Sequence, residues 1–149
     1  MEEAHRFRVV AWWTSGRAGI AESSSAHSAI HFTSPPAFGG LEGRWTPEDL
    51  LLSAIASCYT ITFRTLAEHS KFEYIDLQVE VEGAISKTET GYTFGEVLVR
   101  AHLMIPQEAE QARAIKLLNR AKGLCLVSRA LAIKQIFCLL YTSPSPRDS

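Results

Sequence analysis

Three cysteines, Cys58, Cys125 and Cys138, carry most of the chemistry that this 149-residue chain has to offer. None belongs to a CxxC pair, and no histidine lies at a spacing that suggests zinc. What remains is thiol chemistry, in which the thiolate is the reactive form and an ordinary thiol titrates at about 8.5. Cys58 closes the stretch "WTPEDLLLSAIASC" (45–58), about three turns into a segment that opens like a helix. That depth puts it beyond the positive end of the helix dipole, and apolar neighbours raise a thiol's pKa. A reactive Cys58 therefore needs a cation from elsewhere. Arg17 and Arg44 are the candidates, each in a glycine-containing loop, with Glu48 on the first helical turn as the acid that would orient Arg17. Cys125, just after Gly123 on a short turn, reads as the easier of the two thiols to reach.

Each of these residues also has a plainer reading. Buried free cysteine is common as a small hydrophobe. Arg17 fits a solvated turn, and Glu48 fits simple stabilisation of a helix start. Glu48 and Cys58 are ten residues apart, and at about 100° per residue they do not share a helical face. Spacing alone does not bring them together.

The elements that must hold these residues are legible in outline. "HRFRVVAWW" (5–13) is a β-branched and aromatic strand, "SGRAG" (15–19) a turn, and "AESSSAHSAIHF" (21–32) a second strand with part of a third. The Pro-Pro and Gly-Gly pairs of "TSPPAFGGLEGR" (33–44) make a loop. Thr46, Pro47 and Asp49 then form a capping-box start for a helix running to about His69. Its apolar residues point all round, so burial on all sides is expected, with a partner subunit supplying cover. Residues 74–85 alternate as a half-buried strand, "TETG" turns, and residues 92–105 return. Pro106 is expected to open a second helix with Ala109, Ala112, Ile115, Leu118 and Ala121 on one stripe, ended by Gly123. A short helical turn (124–131) leads to a last strand starting in 132–137. Together these make one α+β domain.

Composition narrows the function. Hydrophobic residues at 46% and charged residues at 21% fit a globular domain, and a net charge of -1 without a basic block argues against nucleic acid. No apolar run reaches the roughly 18 residues of a membrane span, and "MEEAHRFRVV" lacks the apolar core of a signal peptide. A cytoplasmic location and no membrane partner are expected. The last twelve residues, "CLLYTSPSPRDS" (138–149), break the preceding pattern and match what a transposon-end sequencing adapter encodes, so they are expected to be a foreign tail following a domain of residues 1–137.

The combination of "PPAFGGLEGRWTPEDLLLSAIASC" with the later "AKGLCLVSRAL" resembles the OsmC/Ohr family, the osmotically inducible and organic-hydroperoxide-resistance proteins, and specifically its broader OsmC-like group. The resemblance covers roughly residues 6–137. It implies the OsmC-like fold, with antiparallel sheets around a long buried central helix, and an intertwined homodimer with active sites at the interface. It also implies a bacterial, cytoplasmic thiol peroxidase of the oxidative stress response. In that scheme Cys58 attacks the peroxide, Cys125 resolves it as a disulfide, Arg17 stabilises the thiolate and Glu48 holds Arg17, with Arg17 serving the other subunit's Cys58. Small organic hydroperoxides would be the substrates, with Phe38, Trp45, Tyr59 and Phe63 lining an apolar pocket or, equally, forming core. No metal or bound cofactor is implied. The reductant would be an external dithiol, of dihydrolipoamide type or another thiol, alone or on a carrier protein. Two other readings stand beside it: a redox sensor that reacts once without turnover, and a non-enzymatic dimer that binds an apolar ligand with Cys58 as core.

Overall fold

The computed structural model describes residues 4–144, and the chain divides into two compact units, Met1–Leu51 and Leu52–Ser149. The boundary falls inside the first long helix. In the first unit, β1 (Val9–Ser15), β2 (Ala18–Ser23) and β3 (Ile30–Phe32) form an antiparallel sheet in that order. Gly16 supplies the positive φ of 52° that the tight β1–β2 turn needs. Gly19 lets the Phe32 ring lie on the backbone, since a Cβ there would come within 2.3 Å of that ring. The loop after β3 contains one turn of 3-10 helix, Pro36–Phe38.

The capping box at 46–49 forms as its sequence predicts. Asp49 N–H donates to Thr46 Oγ1 at 3.1 Å, and Thr46 N–H donates to Asp49 Oδ2 at 2.9 Å. Helix α1 spans Pro47–His69. It ends with Lys71 at φ 52° and Phe72 N–H bonded back to Ala67 O at 2.8 Å, a left-handed stop made without glycine.

In the second unit, β4 (Asp76–Thr88) and β5 (Gly91–Met104) form a long hairpin with a bulge between Gly83 and Ile85. A 3-10 turn (Glu108–Glu110), α2 (Gln111–Leu124) and α3 (Leu126–Ala130) follow. The chain then returns as β6 (Lys134–Thr142). β6 lies beside β5 and parallel to it, so this sheet is mixed, not antiparallel throughout as the resemblance implied. Parallel neighbours need a crossover, and α2 with α3 is that crossover.

The central strand β5 and the residue after it build the core, with Val97, Val99, Ala101, Leu103 and then Ile105 all at 0% exposure. The α1 stripe Ile55, Tyr59, Phe63, Ala67 packs in the same two apolar clusters. Burial on every side of α1 is not seen in the single chain. One stripe is buried, and Ile61 remains 65% exposed. An 18-residue window of α1 has a mean hydropathy of 1.4, so by length and composition this helix could cross a membrane. A core helix of a globular domain meets the same measure, and interspersed Ser and Thr residues are why α1 shows no unbroken apolar run in the sequence. The α2 stripe also differs from expectation. Ala114, Leu117, Leu118 and Ala121 are buried, whereas Ile115 is exposed, and the helix starts at Gln111, not at Pro106. The spacing 114, 117, 118, 121 is the better fit to 3.6 residues per turn.

Residues 138–142 complete β6, and Leu139 and Tyr141 pack against the larger cluster. Ile105 N–H donates to Thr142 O at 2.8 Å. An apolar, β-competent string such as "CLLYT" takes this place whatever its origin, while residues 145–149 lie outside the described residues. Deleting residues 138–149 is therefore expected to lower stability by about 2–4 kcal/mol, the scale for removing one or two partly buried large side chains. Urea unfolding of the full chain against the truncated one measures this. Coincident midpoints would mean the second half of β6 contributes nothing.

Candidate functional site

Two of the three thiols are brought together in the second unit. Cys58 precedes Tyr59 on α1, at the margin of the buried stripe, and is itself half-buried. Cys125 stands between α2 and α3, capping the start of α3 with φ -64° and ψ 109°, and is 0% exposed. The turn-placed Cys125 is thus the less accessible thiol, contrary to its sequence reading. Closure of Leu117, Leu118 and Ala121 over the core carries the end of α2 inward with it. Neither thiol is in a disulfide, and Cys58 packs against the apolar cluster that contains Cys125, close enough for the two thiols to influence each other's ionisation. Cys138, in β6, is a third free thiol.

In the second unit, the first turn of α3 offers donors to Cys58. N–H groups at a helix start lack helical acceptors. Val127 N–H donates to Cys58 Sγ at 3.5 Å. Burial, the largest single influence, pushes the Cys58 thiol up. The N–H groups of Val127 and Leu126, with the Cys125 thiol and the Thr62 hydroxyl, outweigh it and hold Cys58 below the ordinary thiol value. Burial pushes Cys125 the other way, above that value; contacts with Ser128 offset part of the rise, and neighbouring Cys58 adds to it. The pair is therefore differentiated into one thiol poised to ionise and one held protonated. The signal that could have located these donors is the placement of "CLVSRAL" directly after a helix end, which forces a new helix start at the cysteine.

Arg17, Arg44 and Glu48 lie in the first unit, where the two arginines have contacts of their own. Arg17 Nη1 donates to Gly39 O at 2.6 Å. Gly39 has φ 84°, and a Cβ there would lie 2.0 Å from Arg17 Nη1, so only glycine leaves room for the guanidinium. Thr33, 1% exposed, donates its hydroxyl to Arg17 O at 2.9 Å and accepts from Leu41 N–H at 3.0 Å. The proline and Gly-Gly loop thus folds as a holder for Arg17. Arg44 Nη1 reaches Gly19 O at 3.5 Å, and Gly43, Arg44, Trp45 and Asp49 line an open depression of about 350 Å³ that holds neither thiol of the pair. Glu48 Oε1 is buried with no hydrogen-bond partner among the described residues.

The four aromatic candidates divide. Phe38 and Trp45 are 45% and 52% exposed. Tyr59 and Phe63 are core: Tyr59 donates its hydroxyl to Leu118 O at 2.7 Å, and Phe63 stacks edge-on against Tyr74 at 5.3 Å. Their positions four apart on the buried α1 stripe leave them no open face. Among the described residues, no three His, Cys, Asp or Glu side chains gather as metal ligands.

A sequence profile of the family described as OsmC-like protein matches residues 40–137. An uncharacterised protein of Bacillus subtilis, YmaD, is 31% identical over 130 residues, covering 85% of this chain and 87% of its own. Among solved structures, an organic hydroperoxide resistance protein from Legionella pneumophila superposes with a TM-score of 0.74 at 23% identity, covering 95% of this chain and 99% of its own. The organic hydroperoxide resistance protein OhrB of Bacillus subtilis gives 0.66 at 22% identity, covering 93% and 98%. At these identities the two structures establish the common fold.

The opposite shifts of the two thiols predict the order of alkylation. With iodoacetamide and peptide mapping across pH, Cys58 is expected to react with a midpoint below that of an ordinary thiol, because its folded state favours the thiolate. Cys125 should lag well above it. A Cys58 profile equal to that of an unfolded-chain thiol would show that the α3 donors do not act on it.

Proposed function

The chain belongs to the OsmC-like protein family, and from that premise we propose that it is a thiol peroxidase that reduces organic hydroperoxides. The observation that carries this reading is the Cys58–Cys125 pair, two neighbouring free thiols in one cluster, with an α3 N–H donated to Cys58 and their ionisation pushed apart. The substrate class rests on the names of the solved relatives, which are organic hydroperoxide resistance proteins.

In the proposed cycle the Cys58 thiolate attacks the terminal peroxide oxygen. An S–O bond forms, the O–O bond breaks, and the alkoxide takes up a proton and leaves as an alcohol. Cys58 is then a sulfenic acid. Cys125 displaces its hydroxyl as water and closes the disulfide. An external dithiol, free or on a carrier protein, restores both thiols by exchange. No bound metal or cofactor enters these steps.

Arg17 and Glu48 enter the proposal on the family resemblance. Two features favour them. The loop built around Arg17 holds its guanidinium in a set position, and the partnerless buried oxygen of Glu48 calls for a donor such as an arginine. A homodimer in which Arg17 serves the second copy's Cys58 belongs to the same proposal. The exposed apolar side chains Trp12, Trp13 and Ile61 give a second copy something to cover. A cytoplasmic location follows the need for a reducing dithiol pool.

Peroxide consumption coupled to a dithiol tests this directly. Cys58→Ser should abolish turnover. Cys125→Ser should leave a single oxidation of Cys58 and cut steady turnover by at least tenfold. Full activity in Cys58→Ser would sink the mechanism. Rapid single oxidation of the parent without dithiol-driven turnover would move the protein to the redox-sensor reading.

A further inference from the structure

Ser128 has an unusual setting for a hydroxyl. It lies three residues after Cys125, at the third position of α3, and is 8% exposed. Its carbonyl accepts from Gln135 Nε2 at 3.0 Å and from Leu131 N–H at 3.3 Å, so its backbone is fixed from the β6 side. Its Oγ has no hydrogen-bond partner among the described residues. A buried, partnerless hydroxyl costs stability, and such a cost calls for an explanation, here a state in which a partner appears.

The sulfur one helical turn back is that of Cys125, at the N-cap of α3. The N-cap side chain of a helix ordinarily accepts from the N–H of the third helical residue, and here those two residues are Cys125 and Ser128. In the dithiol form the neutral Cys125 thiol makes no capping bond. A thiolate is a far stronger acceptor, and both the hydroxyl and the N–H of Ser128 favour the charged form of Cys125. The titratable groups acting on Cys125 are Cys58 and Tyr59, both on α1. The Tyr59 hydroxyl is committed to Leu118 O, and Cys58 disfavours charge on its neighbour.

We infer that Ser128 is a positioning residue for the second half of the cycle, donating to the Cys125 sulfur as it becomes a thiolate and so setting the rate of disulfide closure without affecting the first oxidation of Cys58. This rests on the thiol peroxidase reading. In the step concerned, Cys125 gives up its proton and its sulfur forms the S–S bond. The S–O bond of the Cys58 sulfenic acid breaks, and the hydroxyl leaves with that proton as water. Donors that engage only the charged form lower the barrier, because they are idle in the ground state.

The test separates the two oxidations by rapid quench. One equivalent of an organic hydroperoxide is added, sulfenic acid is trapped with a dimedone-type reagent, and the Cys58–Cys125 linkage is counted by mass spectrometry over a range of pH. In Ser128→Ala, sulfenic acid should form at the parental rate. Closure should be about tenfold slower at pH 7, the loss expected for one hydrogen bond to a charged group. Its pH midpoint should move upward, since the thiolate has lost a donor. Ser128→Thr and Ser128→Val, equal in shape, repeat the comparison, and only the threonine should close quickly. Equal closure rates and midpoints in the hydroxyl and non-hydroxyl variants overturn the inference while leaving the peroxidase reading intact. Failure of Cys58 to oxidise in the parent overturns both.

Discussion

The first turn of α3 has N–H groups that no helical carbonyl can accept, and the two thiols lie where those donors can be used. The rest of the second unit arranges this meeting. The parallel placement of β6 beside β5 requires a crossover, and the crossover is made of α2 and α3. The α2 stripe Ala114, Leu117, Leu118, Ala121 draws the end of that helix into the core, which buries Cys125 and starts α3 beside it. The α1 stripe enters the same core, and the Tyr59 hydroxyl is bonded to Leu118 O, tying α1 to α2 one residue beyond Cys58. A shift of either helix would separate sulfur from donor. The result is a chemical asymmetry made from burial, backbone donors and neighbouring side chains, with Cys58 biased towards the thiolate and Cys125 towards the thiol.

The first unit has a separate task. Its sheet ends in a loop whose prolines and glycines have one evident structural consequence, the fixing of Arg17. Gly39 makes room for the guanidinium and gives it a carbonyl, and Thr33 holds the Arg17 carbonyl from below. A charged side chain held this closely on an otherwise exposed turn has given up rotamer freedom, which fits a residue used for its position.

Much of this was legible in the sequence where the cause is local. The capping box at Thr46 and Asp49, the end of α1 near His69 and the 76–104 hairpin all follow from neighbours in the chain. The pairing of Cys58 with Cys125 was carried by the family resemblance, because nothing in a separation of 67 residues (125 minus 58) specifies contact. Features decided by tertiary packing were not legible. The sequence reading sought a cation for Cys58, whereas the groups that favour its thiolate in the second unit are two backbone N–H groups, a neighbouring thiol and the Thr62 hydroxyl, none of them marked by charge. Tyr59 and Phe63 could equally have lined a pocket, and only their place on the buried stripe decides for core. The parallel pairing of β6 has no local mark either, and it draws in residues 138–142, which the composition break had set apart.

The most direct test of the account is peptide mapping by mass spectrometry after one equivalent of an organic hydroperoxide. The account predicts rapid formation of a Cys58–Cys125 linkage, with Cys138 left reduced. If Cys58 and Cys125 both stay reduced while the peroxide persists, the pair is a piece of core packing, and the peroxidase account is contradicted.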